Sequence, residues 1–159
     1  MNEKNLEKII NNIVGDAIVK EVMSLKLAVK LIETVEEKAA EMGLAVVVAV
    51  SDASGRPIAV HCMDGAYHGS FDVAVNKTYT STAFQMSTAK LSRLCQPGQD
   101  LYGLQFSNNG KVMILGGGEP LMVGKTMIGA LGVSGGSAQE DSDLAAYGAS
   151  ALKEVIKCL

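Results

Sequence analysis

Tryptophan is missing from this 159-residue chain and aromatic residues make up only 4% of it, so a ligand site built on stacked rings has little to draw on. Cysteine is scarce too. Cys62, Cys95 and Cys158 are an odd number without a C-x-x-C pair, which argues against a disulfide framework or a thiolate metal site and suits a reducing cytosol. Two histidines, His61 and His68, are too few for a preformed zinc site. No basic run or basic helix face is present, and 14 Lys and Arg against 17 Asp and Glu give a net charge of -3; nucleic acid is therefore not an expected partner. No apolar run approaches the ~20 residues of a membrane span. The N-terminus, MNEKNLEKIINNIVG, mixes charge with apolar residues where a secretory signal would carry an apolar core and a cleavage site. The expectation is a cytoplasmic protein.

What is present is the composition of a globular domain, 48% hydrophobic and 19% charged, long enough to bury its own core. Two stretches dominate: residues 44–66, LAVVVAVSDASGRPIAVHCMDGA, and residues 126–136, TMIGALGVSGG. Both are rich in β-branched residues and run into turn formers, so they read as central strands of one sheet. Ahead of them, Leu6, Ile9, Ile10, Ile13 and Val14 recur at helical spacing. Residues 1–22 therefore read as an amphipathic extension, packing on its own domain or a neighbouring subunit, or docking into a groove on another protein; residues 23–159 form the domain proper.

A second helix over residues 24–42 carries Leu25, Ala28, Val29, Ile32 and Val35 on its buried stripe and ends at Gly43. Residues 44–50 and 57–63 form a hairpin in which Ala59, His61 and Met63 face one way and Ile58, Val60 and Cys62 the other. Ser70 reads as the N-cap of a helix over residues 71–84 whose inner face is rich in hydroxyls. A short helix over residues 88–94 follows, then a loop, then strands over residues 111–115, 119–123 and 126–133, and a last helix opened by the capping box Ser137-x-x-Glu140. The element order α-α-β-β-α-α-β-β-β-α predicts an α+β fold: a five-stranded antiparallel sheet with helices mainly on one face, similar to profilin and PAS-like folds.

Two apparent catalytic motifs do not survive inspection. Gly132-Val133-Ser134-Gly135-Gly136 fits G-x-S-x-G, but both histidines precede the serine, against the order of an α/β-hydrolase. GEPLMVGKT, residues 118–126, has five residues between its glycines where a P-loop has four, and a strand follows it. A hairpin turn at Gly124-Lys125 explains it. His61 and Cys62 are strand neighbours and point to opposite faces, so they cannot pair. The Gly135 and Gly136 amides, ahead of a helix start, offer a place for a carboxylate.

Taken together, VAVSDASGRPIAVHCMDGA, SFDVAVNKTYTSTAF, ILGGGEPL and GALGVSGG with the acidic helix start after it resemble the GlcG/HbpS-type family of haem-degrading or DUF336 domains, which includes the C-terminal domain of PduO-type proteins. Asp52, Gly55, Met63, Asp64, Gly65, Lys77, Gly117, Gly118, Pro120, Gly129, Gly132, Val133, Ser134 and Gly135 match the family pattern; Val60, His61 and Cys62 stand where many relatives have an aromatic residue, an acid and an Arg. The resemblance implies a homo-oligomeric α+β domain linked with haem or corrinoid metabolism.

The expected function is accordingly that of a binding or accessory protein for haem or a related tetrapyrrole or corrinoid. His61 or His68 would be the axial ligand, and Lys77 or the Gly135 and Gly136 amides would meet propionates. Residues 1–20 are similar to encapsulation peptides, which implies a microcompartment shell protein as partner. The alternatives are a small-metabolite enzyme with Asp64 or Lys77 as acid or base, and a purely structural oligomerisation module.

Overall fold

The computed structural model describes residues 22–159 and, ahead of them, Asn5 alone. The helix expected over residues 3–14, apart from that one position, lies outside the described residues. Ser24 opens helix α1 (Leu25–Glu41), its side chain accepting the Leu27 N–H at 3.1 Å, and Gly43 ends it at φ +71°, a conformation that costs a β-carbon dearly. The buried stripe of α1 is Leu27, Ala28, Leu31, Ile32, Val35 and Ala39. It is rotated from the expected one: Leu25 is 62% exposed.

Strands β1 (Val47–Asp52), β2 (Pro57–Cys62), β3 (Gly118–Val123) and β4 (Thr126–Ser134) form one antiparallel sheet in the order β2-β1-β4-β3. The sheet is thus α+β as expected but has four strands, not five. The missing strand, residues 111–115, has irregular backbone. One of its amides is met by a helix side chain: Thr80 Oγ1 accepts the Met113 N–H at 2.8 Å, while its own hydroxyl donates to the Asn76 carbonyl at 2.7 Å, closer than the Lys111 carbonyl at 3.4 Å. Val112 and Ile114 face a small cluster around Leu91 and Cys95. The Met113 amide is thus bonded without a strand neighbour.

Helix α2 (Ser70–Phe84), helix α3 (Thr88–Leu94) and helix α4 (Ala138–Lys157) complete the domain. Helices cover both faces of the sheet, not mainly one. Val46, Val48 and Val50 join Leu131 and Val133 in the large core under α1 and α4, whereas Val47 and Ala49 pack with Ala74 of α2 on the other side. The unbroken apolar run of β1 follows directly, because a strand covered twice must be apolar in both phases. The glycines set the layer spacing. A β-carbon at Gly132 would collide with the Ala74 carbonyl of α2, and one at Gly148 with Leu131 and Val35. Ser70 is the first residue of α2, not its cap; the cap is Gly69 without a side-chain bond, and the Ser70 hydroxyl lies 3.2 Å from that of Ser134.

Gly132→Ala should therefore cost about 1–3 kcal/mol, the usual range for overpacking. Urea unfolding measures it, and an unchanged midpoint would mean that α2 does not rest on β4 this closely.

Candidate functional site

The hydroxyl-rich face of α2 holds one charged group. Lys77 is turned into the protein with 1% of its side chain exposed, and Asp141, one turn into α4, meets it with 5% exposed. The Lys77 ammonium donates to Asp141 Oδ2 and to the Val133 carbonyl, both at 2.7 Å. Asp141 Oδ1 accepts the Gly136 N–H at 2.9 Å. Gly117 closes the roof: at φ +111°, its missing β-carbon would sit 2.8 Å from Lys77 Nζ and 2.7 Å from Asp141 Cβ, and its carbonyl accepts the Val133 N–H at 2.8 Å. Burial pulls the Lys77 ammonium below its ordinary value, while the hydrogen bond and charge of Asp141 pull the other way.

This geometry places Lys77, expected to meet a propionate, inside a sealed knot that ties α2, the end of β4, the Gly117 loop and the start of α4. The Gly136 amide is spent on the same knot. Gly135 is half-buried, its α-carbon packed where a side chain would strike the Ala45 carbonyl and Val46. Asp64 sits exposed in the turn after β2, and no hydrogen bond or ion pair joins it to Lys77. Ser134, in the hydrolase-like motif, is buried against Ser70. The P-loop-like segment is a β3–β4 hairpin with Gly124 at φ +61°. The capping box of Ser137 and Glu140 forms as the sequence implies.

His61 has a different setting. It lies on the edge strand β2, opposite Val48 and on the α1 side, with Nδ1 3.3 Å from both carboxylate oxygens of Glu36 on α1. An ionised carboxylate only accepts, so in this contact Nδ1 is the donor and Nε2 is the nitrogen turned away from Glu36. His61 is 36% exposed and Glu36 25%. A carboxylate behind one imidazole nitrogen fixes the orientation of the ring, the arrangement that supports histidine ligands to metals. His68 is exposed, in the loop that leads into α2. Among the described residues no group of three or more His, Cys, Asp or Glu could hold a metal ion.

Sequence reasoning assigned no site role to Glu36 or Asp141, and had Gly117 only as a match to the family pattern, not as the roof over Lys77. Asp141 had a signal: it is an acid left over in a first turn whose capping box was already filled by Glu140. Glu36 had none, since only the crossing of α1 over β2 brings it to His61.

A four-stranded sheet clad on both faces, closed by an interior lysine–aspartate pair and bearing a carboxylate-backed histidine at its edge, defines a small α+β domain with its donor group outside the core. The chain belongs to the family of haem-degrading HbpS-like proteins, whose family model matches residues 23–150. Among solved structures it is similar to Klebsiella pneumoniae protein ORFY, a DUF336 protein, at 36% identity and a TM-score of 0.80 over 82% of this chain and 90% of that one. It is also similar to the PduOC:heme complex, at 35% identity and a TM-score of 0.78 over 82% and 94% of the two chains. The corrinoid adenosyltransferase PduO of Salmonella typhimurium is 39% identical over 109 residues, 69% of this chain but 32% of that protein. The chain thus spans about a third of PduO. No described helix is long and apolar enough to cross a membrane.

Lys77→Ala or Asp141→Ala should each destabilise the domain by about 3–5 kcal/mol, because the partner is left charged and dry, while the pair Lys77→Met with Asp141→Leu recovers most of the loss. Chemical denaturation of the three variants decides it; single losses under about 1 kcal/mol, as for a solvated ion pair, would show that water reaches the knot.

Proposed function

We propose that this chain is a homo-oligomeric binding or accessory protein for haem or a closely related tetrapyrrole or corrinoid, with His61 as the axial ligand and His68 as the second candidate. The observation that carries this reading is the likeness to a solved haem complex at 35% identity over 82% of the chain. The donor chemistry fits. Haem brings its own ring nitrogens to the iron and asks the protein for an axial ligand, which suits a chain with isolated histidines and no three-residue metal cluster among its described residues. When bound, the group would supply its iron for ligation; His61 would offer Nε2, and Glu36 would hold the ring.

The sheet supports assembly as well. Edge strands β2 and β3 have no further strand beside them among the described residues, and an unpaired edge is a natural place for a second copy. Tyr67, Phe71 and Phe106 are 74%, 46% and 81% exposed and are available to a ligand or a second copy. The same reading has the protein reside in the cytoplasm or in a microcompartment lumen, with residues 1–20 recognising a shell protein. An acid–base role for Lys77 gains less support, because both of its bonds point inward.

Hemin titrated into the full-length protein should give a red-shifted Soret band. His61→Ala should abolish the shift and Glu36→Gln should weaken affinity about tenfold or more, the usual effect of losing such a support. An unshifted spectrum for the unaltered protein would reject the tetrapyrrole reading, and a shift lost only in His68→Ala would move the ligand to that loop.

A further inference from the structure

The two edges of the sheet are not equivalent. In an antiparallel ladder the backbone groups of successive residues turn alternately to the neighbouring strand and away from it. On the β3 side the Gly117 carbonyl accepts the Val133 N–H, so the alternation turns Gly118 and Pro120 outward, and Pro120 has no N–H to offer a further strand. On β2 the Met63 N–H donates to the Val46 carbonyl at 3.1 Å, and the register sets His61 against Val48 and Ala59 against Val50. Met63, His61 and Ala59 therefore turn their backbone groups to β1, whereas Val60 and Cys62 turn theirs outward. Before Ala59 the ladder slips by one residue, with Pro57 opposite Ser51, and Pro57 again lacks an N–H. The part of the β2 edge that can extend the sheet is thus short, free of acidic and basic side chains, and centred on His61. Among the described residues no strand lies beside it.

We infer that two copies of the chain join at this edge, antiparallel about a two-fold axis through His61, and that their two His61 side chains together bind a divalent transition-metal ion. The register follows from the free backbone groups. Pairing Val60 with the partner's Cys62, and Cys62 with the partner's Val60, uses every outward N–H and C=O of both residues, and a two-fold axis makes the edge its own complement. One register alone does this. It sets His61 opposite the partner's His61 at a position without hydrogen bonds, where Cβ atoms lie about 4.5–5.5 Å apart. Because the axis stands normal to the sheet, both side chains stay on the α1 face. Cys62 takes no part, since strand neighbours face opposite sides. Each ring is held through Nδ1 at 3.3 Å by its own Glu36, which leaves Nε2 of each for the ion. Imidazole nitrogens suit Zn²⁺, Ni²⁺ and Cu²⁺. Charge favours the ion as well: joining the copies brings two Glu36 carboxylates to one place, a like-charge cost that a dication removes. A single chain offers no group of three donors among its described residues, whereas the pair brings His61 and Glu36 twice. The inference goes beyond the tetrapyrrole reading and does not rest on it; a haem iron and the ion would compete for the same Nε2.

Zn²⁺ alone is the probe. Titrated into the full-length protein after treatment with a chelator, it should bind at one ion per two chains and tighten self-association by about tenfold or more, as an ion that binds only the joined pair must; His61→Ala should lose both effects. The register is read separately. With the exposed thiols removed by Cys62→Ser and Cys158→Ser, which leaves the buried Cys95, His61→Cys should oxidise to a covalent pair of chains in most molecules, its separation suiting a disulfide. Ala59→Cys, which the same register sets about 13 Å along the strands from its own copy, should stay a free thiol. Hemin titration reads the tetrapyrrole proposal without zinc, so either reading can fail while the other stands. One ion per chain, zinc uptake that survives His61→Ala, a chain that stays single at every zinc concentration, or covalent pairs formed as readily by Ala59→Cys as by His61→Cys would each overturn the shared site.

Discussion

Taking a lysine and an aspartate out of water is expensive, and this domain recovers the cost by giving the buried atoms several partners at once. Lys77 reaches across from one face of the sheet, Asp141 comes from the helix on the other, and between them stand the Val133 carbonyl, the Gly136 amide and the bare α-carbon of Gly117. The pair can form only where β4 ends and the chain turns into α4, so it fixes the register of the two layers relative to each other. The layer spacing depends on the same economy. Gly132 lets α2 lie close on β4 at Ala74, and Gly148 lets α4 settle onto Leu131. Buried ion pairs of this kind add little net stability over an apolar filling, but they penalise every arrangement in which one partner is left alone.

The consequence for function is a division of the molecule. Its most strongly conditioned charged groups serve the architecture, and the chemistry available to a ligand is displaced to the surface of the single protomer: the carboxylate-backed His61 at one sheet edge and the exposed aromatic residues near α2. Such a layout favours holding a molecule that carries its own reactive centre.

Much of this was readable before any coordinates. The β-branched run of residues 46–50 could only be a strand buried twice, Ser24, Gly43 and the Ser137–Glu140 box marked three helix ends correctly, and Gly124-Lys125 announced a hairpin where a nucleotide loop was the rival. The errors have physical causes. The fifth strand failed because Thr80, a helix residue, takes the Met113 amide while Val112 and Ile114 pack with Leu91 and Cys95, and no local pattern reveals a partner from elsewhere. The stripe of α1 was rotated because Leu25 and Val29 are apolar without facing the core. Lys77 was expected to meet a propionate or to serve as acid or base, not to pair inside; its position three residues beyond Ala74 on a face of Thr and Ser was the available hint, and Asp141 lay in view as a surplus acid in a capped turn.

The central claim is that the family domain in this chain holds a tetrapyrrole as an assembled protein. Native mass spectrometry of the full-length protein taken directly from cells supplied with a haem precursor tests it most directly. The account predicts ions at a multiple of the chain mass that release a tetrapyrrole on activation. Assemblies that carry no added mass, or a lone chain without any ligand, would contradict it.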